Sequence, residues 1–178
     1  MPLRKQIFIF VLLCLAATSG CSGKDSTSRV PLDFVFVMDV RSTEDDMAGN
    51  IHVNIRMDAR GQGQFEYYDS GDAIHYDLND IISYDASQVV KSGKFKLTNE
   101  KLGQLWDILN ENHFFELEEH YQIALGHSYA FIMVEANGKR YMVDNIGLEV
   151  PEIRAIVEAT GEILPGEIKF EYGEGMTP

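Results

Sequence analysis

The stretch from Phe95 to Tyr121 constrains the fold most, because it contains a helix that is apolar on one side only. Four apolar residues recur there at the i, i+3, i+4, i+7 spacing of one helical face: Leu102, Leu105, Trp106 and Leu109. Thr98 is a favourable N-cap residue, so we predict a helix near 98–112. Its apolar side must be covered, and the flanking segments are expected to supply a sheet.

The segments before this helix predict four strands. Ile51 to Met57 alternates apolar and polar residues, which is typical of a half-buried antiparallel strand. Residues 33–40 and 64–68 are rich in aromatic and β-branched residues and complete a meander with it. Residues 89–97 predict a fourth strand that leads into the helix.

The segments after the helix predict a hairpin and a second helix. Asn137-Gly138 separates the apolar runs 129–136 and 139–146, and this pair favours a two-residue hairpin loop. Pro151 suits the first turn of a helix over 151–164. Residues 168–172 alternate again and predict a short closing strand.

These elements predict an α+β fold. We expect an antiparallel sheet of about five to seven strands, with the two main helices packed on one face.

The N-terminus predicts export and a lipid anchor. Arg4 and Lys5 precede an apolar run over 7–17, the arrangement of a secretory signal. The run is shorter than the roughly 20 residues that span a bilayer. Thr18-Ser19-Gly20-Cys21 resembles the lipobox of bacterial lipoproteins, which implies acyl chains on Cys21. The alternative is an ordinary cleaved signal that leaves a secreted protein.

The predicted organisation is therefore a signal peptide at 1–20, a polar tether at 21–30 and one domain at 31–178. The lipid would hold this domain at the periplasmic or extracellular face of the cell membrane or outer membrane.

Cysteine usage and charge exclude several function classes. Cys14 and Cys21 are the only cysteines, so the mature domain would have no disulfide, thiolate metal site or cysteine nucleophile. The net charge is −13, and removal of residues 1–20 takes away Arg4 and Lys5 and brings it to −15. Such a domain has little attraction for nucleic acid, and no nucleic-acid partner is expected.

One group of side chains could ligate a metal, and its members are His113, Glu116, Glu118, Glu119, His120 and His127. Histidine and glutamate bind zinc, which would suit a metal-dependent hydrolase. The i, i+4 histidine pair of a zinc helix is missing, however, and a polar connection after the helix explains the group more simply. We therefore expect no enzyme activity, no metal and no cofactor.

The long acidic segment 69–88 predicts the binding surface, together with the polar loop 41–50. The candidate binding residues are Tyr68, Asp72, Tyr76, Asp77, Asp80 and Tyr84. Tyrosine is enriched at interfaces, and the aspartates would favour a basic protein partner. The alternative is that the tyrosines only cover the open face of the sheet.

A family resemblance rests on the order of several short motifs along 34–164. They are Gly93-x-Phe95-x-Leu97-Thr98, Phe114-Phe115-x-Leu117, Tyr121, Asn137-Gly138-Lys139 and Pro151. The order is similar to that of small α+β domains of unknown function in exported bacterial proteins and lipoproteins. It resembles more loosely the emfourin-like inhibitors of bacterial metalloproteases. Asp45-Asp46-Met47 stands where cysteine-containing members have a Cys-Pro turn, and no inhibitory residue can be carried over.

The absence of catalytic motifs, the exported and tethered domain and the inhibitor-like resemblance together predict the function. The expected protein is a membrane-anchored cell-envelope lipoprotein with a non-enzymatic protein-binding domain, of which an inhibitor is one form. The alternatives are the metal-dependent hydrolase of the 113–127 group and a structural envelope lipoprotein without a dedicated ligand.

Overall fold

The computed structural model describes residues 29–41, 51–69, 86–122, 129–146, 150–170 and 172. Within them, seven strands and two α-helices form an α+β fold, as predicted. The strands are β1 (Val35–Arg41), β2 (Ile51–Asp58), β3 (Gln62–Asp69), β4 (Val89–Lys96), β5 (His120–Gln122), β6 (Tyr129–Ala136) and β7 (Lys139–Ile146). The helices are α1 (Asn99–Glu111) and α2 (Pro151–Ile163).

The sheet has the order β4-β3-β2-β1-β6-β7-β5. The predicted meander of β1, β2 and β3 is confirmed, since consecutive strands pair antiparallel. The prediction of a purely antiparallel sheet is wrong, because β5 pairs parallel with β7. The backbone N–H of Asp144 donates to the carbonyl of Glu119 over 2.8 Å, just before β5. A strand of three residues is too short to show a period in the sequence.

The main apolar core joins the inner stripes of both helices to alternate residues of the strands. Leu102, Leu105, Trp106 and Leu109 are all buried, as the helical spacing predicts. Thr98 caps α1, because its hydroxyl accepts a hydrogen bond from the Lys101 N–H over 3.2 Å. Pro151 opens α2 at its first turn.

The hairpin of β6 and β7 has the predicted bounds and turn. Asn137 and Gly138 have φ angles of 55° and 72°, which this two-residue loop requires. The Asp33 carboxylate accepts hydrogen bonds from both backbone N–H groups, at 3.0 Å from Asn137 and 2.6 Å from Gly138. These bonds, with that of Gly138 the stronger influence, lower the pKa of Asp33. The turn is therefore tied to the residues before β1.

Two glycine–phenylalanine pairs join β3 to β4. Gly63 lies opposite Phe95, and Phe65 lies opposite Gly93. The ring of each phenylalanine occupies the space where a Cβ of the opposite glycine would be. Glycine is needed at both positions because an aromatic ring closely approaches the backbone there.

The predicted closing strand is wrong for the described residues 168–170 and 172, which belong to no strand. The segment is held instead by Tyr67, whose hydroxyl accepts the Lys169 N–H over 2.6 Å and contacts the Lys169 carbonyl at 3.3 Å. Ile168 and Tyr172 are buried in the main core. The alternation therefore reflects an extended segment that packs by its side chains, without a strand partner among the described residues.

In the described part of the chain, neither helix is long and apolar enough to cross a membrane. Residues 1–28 lie outside the described ranges, so the signal, the tether and the lipid on Cys21 stay predictions.

Candidate functional site

A buried carboxylate, Asp39, lies at the middle of the sheet on the side of β1 that faces away from the main core. We call this the second side; its apolar residues include Val37, Phe131 and Met133, which form a separate buried cluster. Asp39 is fully buried, although it is an acid that follows four apolar residues of β1. A buried charge requires hydrogen-bond partners, and neighbouring strands supply them.

The donors to Asp39 come from β2 and β3. Oδ1 lies 3.0 Å from His52 Nδ1, and Oδ2 lies 2.7 Å from the Tyr68 hydroxyl and 3.3 Å from Asn54 Nδ2. An ionised carboxylate only accepts, so the contact with His52 places a proton on Nδ1. The strand register explains the convergence, because Asn54 pairs with Asp39 and Tyr68 pairs with His52. We call these four residues the Asp39 network.

The Asp39 network resembles a catalytic histidine–aspartate pair in one contact only. A general base would need its other ring nitrogen to reach a substrate or nucleophile. The His52 side chain is 9% exposed, and its ring packs against Tyr129 with centroids 4.6 Å apart. All the donors of the network converge on the one carboxylate. The arrangement therefore suits a polar cross-link between β1, β2 and β3.

The structure describes one of the six predicted binding residues. Tyr68 is 1% exposed, so its ring is part of the interior and its hydroxyl binds Asp39. Asp72, Tyr76, Asp77, Asp80 and Tyr84 lie outside the described residues, as does the loop 42–50. Binding by these segments stays a prediction.

The side chains that were weighed as metal ligands, and not predicted to bind one, do not converge where the structure describes them. His113 lies 3.8 Å from Glu116, and both side chains are largely exposed. His120 lies 3.9 Å from Asp144 across the β5–β7 pair. Among the described residues, no three His, Cys, Asp or Glu side chains come together as a metal site. His127 lies outside the described ranges.

Asp144 is a second acid on the second side, in register with Phe131 and His120. Burial raises the pKa of its carboxyl, and the nearby His120 opposes this shift. Oδ1 of Asp144 is buried without a hydrogen-bond partner in the described part of the chain. The sequence did not single out Asp39 or Asp144; for Asp39, the available signal was an acid directly after an apolar run.

An open groove of about 440 Å³ lies at the end of the sheet formed by β2, β3 and β4. Its lining residues are Val35, Arg56, Met57, Asp58, Gln62, Gly63, Gln64 and Lys94. Arg56, Gln64 and Lys94 form one cross-strand row, because Gln64 pairs with both of the others. No ion pair joins Arg56 or Lys94 to a carboxylate of the described residues. The sequence does not predict this groove, since the groove forms only when three strands pair in register.

No protein-family model matches this chain, and no curated protein is significantly similar to it. The fold and the two sites described above therefore carry the functional argument. They define a small α+β protein with a polar cross-link inside its sheet and a basic groove at one end.

Proposed function

We propose that this chain is a membrane-anchored cell-envelope lipoprotein whose single domain binds another protein without catalysing a reaction. The signal-like N-terminus and Cys21 support the anchor. A tethered domain would meet its partner at the membrane surface, where the anchor raises its local concentration.

The groove is the observation that carries the binding proposal. Its volume lies within the roughly 300–1,000 Å³ of typical ligand sites, and it is open to solvent. Its walls come from paired strands, which hold the lining side chains in fixed positions. We infer that both helices cover one face of the sheet, supported by their shared core. The groove would then lie on the face that the helices leave uncovered.

The Asp39 network supports the non-enzymatic part of the proposal. Its donors bind one buried carboxylate, and such networks rigidify a fold when they are satisfied. Among the described residues, the groove is lined by Arg56 and Lys94 and by neither histidine nor serine. Its chemistry suits recognition of a charged partner.

A site-specific crosslink in the native envelope tests the binding function. A photoreactive residue at Gln64, an exposed position in the groove, should yield a discrete crosslinked product with a second protein. The same residue at Gln104, an exposed position on α1, is the matched control. Equal products at both positions, or none at Gln64, would contradict the proposal.

The anchor has its own test. Mass spectrometry of the mature N-terminus should find acyl chains on Cys21, and Cys21→Ala should release the protein from the membrane fraction. An unmodified N-terminus, or a Cys21→Ala protein that stays in the membrane, would show that the anchor prediction is wrong.

A further inference from the structure

The charge of the groove is opposite to the charge of the protein. The chain has a net charge of −13, yet Arg56 and Lys94 line the groove and Lys96 lies beside it, opposite Gln62. Asp58, the one lining carboxylate among the described residues, accepts the backbone N–H groups of Arg60 and Gln62, both at 2.9 Å. Its Oδ1 atom is thus occupied by the turn between β2 and β3. The cations of the groove remain available to a partner.

From this charge pattern we infer that the groove binds an acidic, extended segment of a partner protein. The inference rests on the proposed protein-binding function and names the chemistry of the partner. Arginine binds carboxylates through two parallel hydrogen bonds, and lysine adds a point charge. The amides of Gln62 and Gln64 can donate to and accept from a peptide backbone.

The spacing of the two cations favours a peptide over a small anion. Arg56 is on β2 and Lys94 is on β4, with Gln64 of β3 between them. Two strand spacings separate the backbones of Arg56 and Lys94 by about 10 Å. One small anion spans this distance poorly, whereas two carboxylates of an extended segment can each meet one cation. Val35, a half-buried residue of β1, supplies apolar contact at the Arg56 end of the groove.

The net charge favours a peptide over an anionic membrane. The Debye length at physiological salt is about 8 Å, so a narrow segment in the groove responds mainly to the cations beside it. A flat anionic membrane is much wider than this length and would meet the net negative charge of the domain as a whole. The resulting repulsion opposes a membrane contact at this site.

Fluorescence anisotropy of a labelled polyglutamate peptide, with full-length protein in neutral detergent, tests the inference. Polyglutamate should bind and be released by added salt, whereas polyglutamine and polylysine should not bind in the groove. Arg56→Gln with Lys94→Gln should weaken binding at least about tenfold, because each removes a charge-assisted hydrogen bond. Lys139→Gln with Lys169→Gln makes the same change in net charge at exposed positions outside the groove and should have little effect.

Gln64→Glu provides a second variant that places a negative charge between the two cations. It should weaken polyglutamate binding even if the double variant fails to fold, which thermal unfolding would reveal. Equal loss in the groove and control double variants would overturn the inference, because the effect would then follow net charge alone. Displacement by an equal concentration of inorganic phosphate, or equal binding to phosphatidylglycerol vesicles, would overturn it as well.

The result at Gln64 in the native envelope separates this inference from the proposed function. A groove crosslink that persists while polyglutamate does not bind would leave the binding function in place and show that the acidic partner is wrong. Polyglutamate binding without any crosslink at Gln64 would show that the groove prefers an acidic chain and that the proposed protein binding in the envelope is wrong.

Discussion

The two sides of β1 are both buried, but they are built from different chemistry. Phe36, Met38 and Val40 enter the main apolar core, whereas Val37 and Asp39 face the second side. The core side is stabilised by the removal of apolar surface from water. The second side adds a charge that is tolerated only because three side chains donate to it. One strand therefore contributes to folding through two mechanisms that respond to mutation in different ways.

The largest effect is expected from Asp39→Ala, which removes the shared acceptor of the Asp39 network. His52, Tyr68 and Asn54 would each be left with a donor that has lost its partner in a buried or half-buried site. Each buried donor left without its acceptor costs about 1–3 kcal/mol, so urea unfolding should show a loss of about 4 kcal/mol in the free energy of unfolding.

Tyr68→Phe is the control for that change, because it removes one donor and leaves the carboxylate with two. The Tyr68→Phe variant should lose about 1–2 kcal/mol of unfolding free energy. A loss below about 1 kcal/mol for Asp39→Ala would show that the second side does not depend on the network.

A somewhat smaller effect is expected in the main core from Leu105→Ala. Leu105 is fully buried on the inner stripe of α1, and truncation would lose apolar contact and leave a cavity. We expect a loss of about 3 kcal/mol in urea unfolding. Leu105→Met keeps most of the volume and should cost less than about 1.5 kcal/mol. If both variants lost the same amount, cavity formation could not be the cause.

Substitutions at the glycine–phenylalanine pairs near the edge of the sheet should cost less stability than those at Asp39 and Leu105. A Cβ at Gly93 would lie 2.5 Å from Cζ of Phe65, which is buried and cannot swing away. Gly93→Ala should therefore cost about 2 kcal/mol through overpacking. Gly63→Ala should cost less, because the opposing Phe95 is half-buried and can move toward solvent. The reverse order in thermal unfolding would contradict this account.

The predictable parts of the fold are those with a local period or a turn signal. The α1 stripe has a helical period and the hairpin has the turn signal Asn137-Gly138, and the positions of both elements are confirmed. The strand β5 has neither, because its pairing with β7 depends on residues that come later in the chain. Apolar and polar residues alternate over 168–172 as they do in a strand. This alternation indicates which side chains are buried, but it does not show whether the backbone pairs with another strand.

The candidate sites were less predictable than the fold, because each is assembled from separate strands. Asp39 meets His52 and Tyr68 only through the pairing of β1 with β2 and of β2 with β3. The row of Arg56, Gln64 and Lys94 depends on the register between β3 and β4, which the sequence separates by a long segment. Residue types can suggest chemistry, but long-range register decides which residues meet.

The smallest effect, and the only one of opposite sign, is expected at Asp144. Its side chain is 23% exposed, and burial raises the pKa of its carboxyl above the ordinary value of 3.8. The pKa of Asp144 is higher in the folded than in the unfolded protein. At pH values between the two, the folded protein binds more protons than the unfolded protein, so the free energy of unfolding falls as the pH rises through that interval. Asparagine carries no charge to be desolvated. Asp144→Asn should therefore raise the free energy of unfolding at neutral pH, and this gain should disappear as the pH falls below 3.8.

Asp33→Asn is the matched control for Asp144→Asn, because the pKa of Asp33 is lowered by the N–H groups of Gly138 and Asn137. Stabilisation by a lowered pKa is complete above the unfolded value and is lost as the pH falls through the folded value. Asp33→Asn should therefore reduce stability at neutral pH and match the unchanged protein at strongly acidic pH. Urea unfolding across this pH range should give difference curves of opposite sign for the two variants. Curves of the same sign would mean that burial does not govern Asp144, and that its partnerless Oδ1 has no energetic consequence.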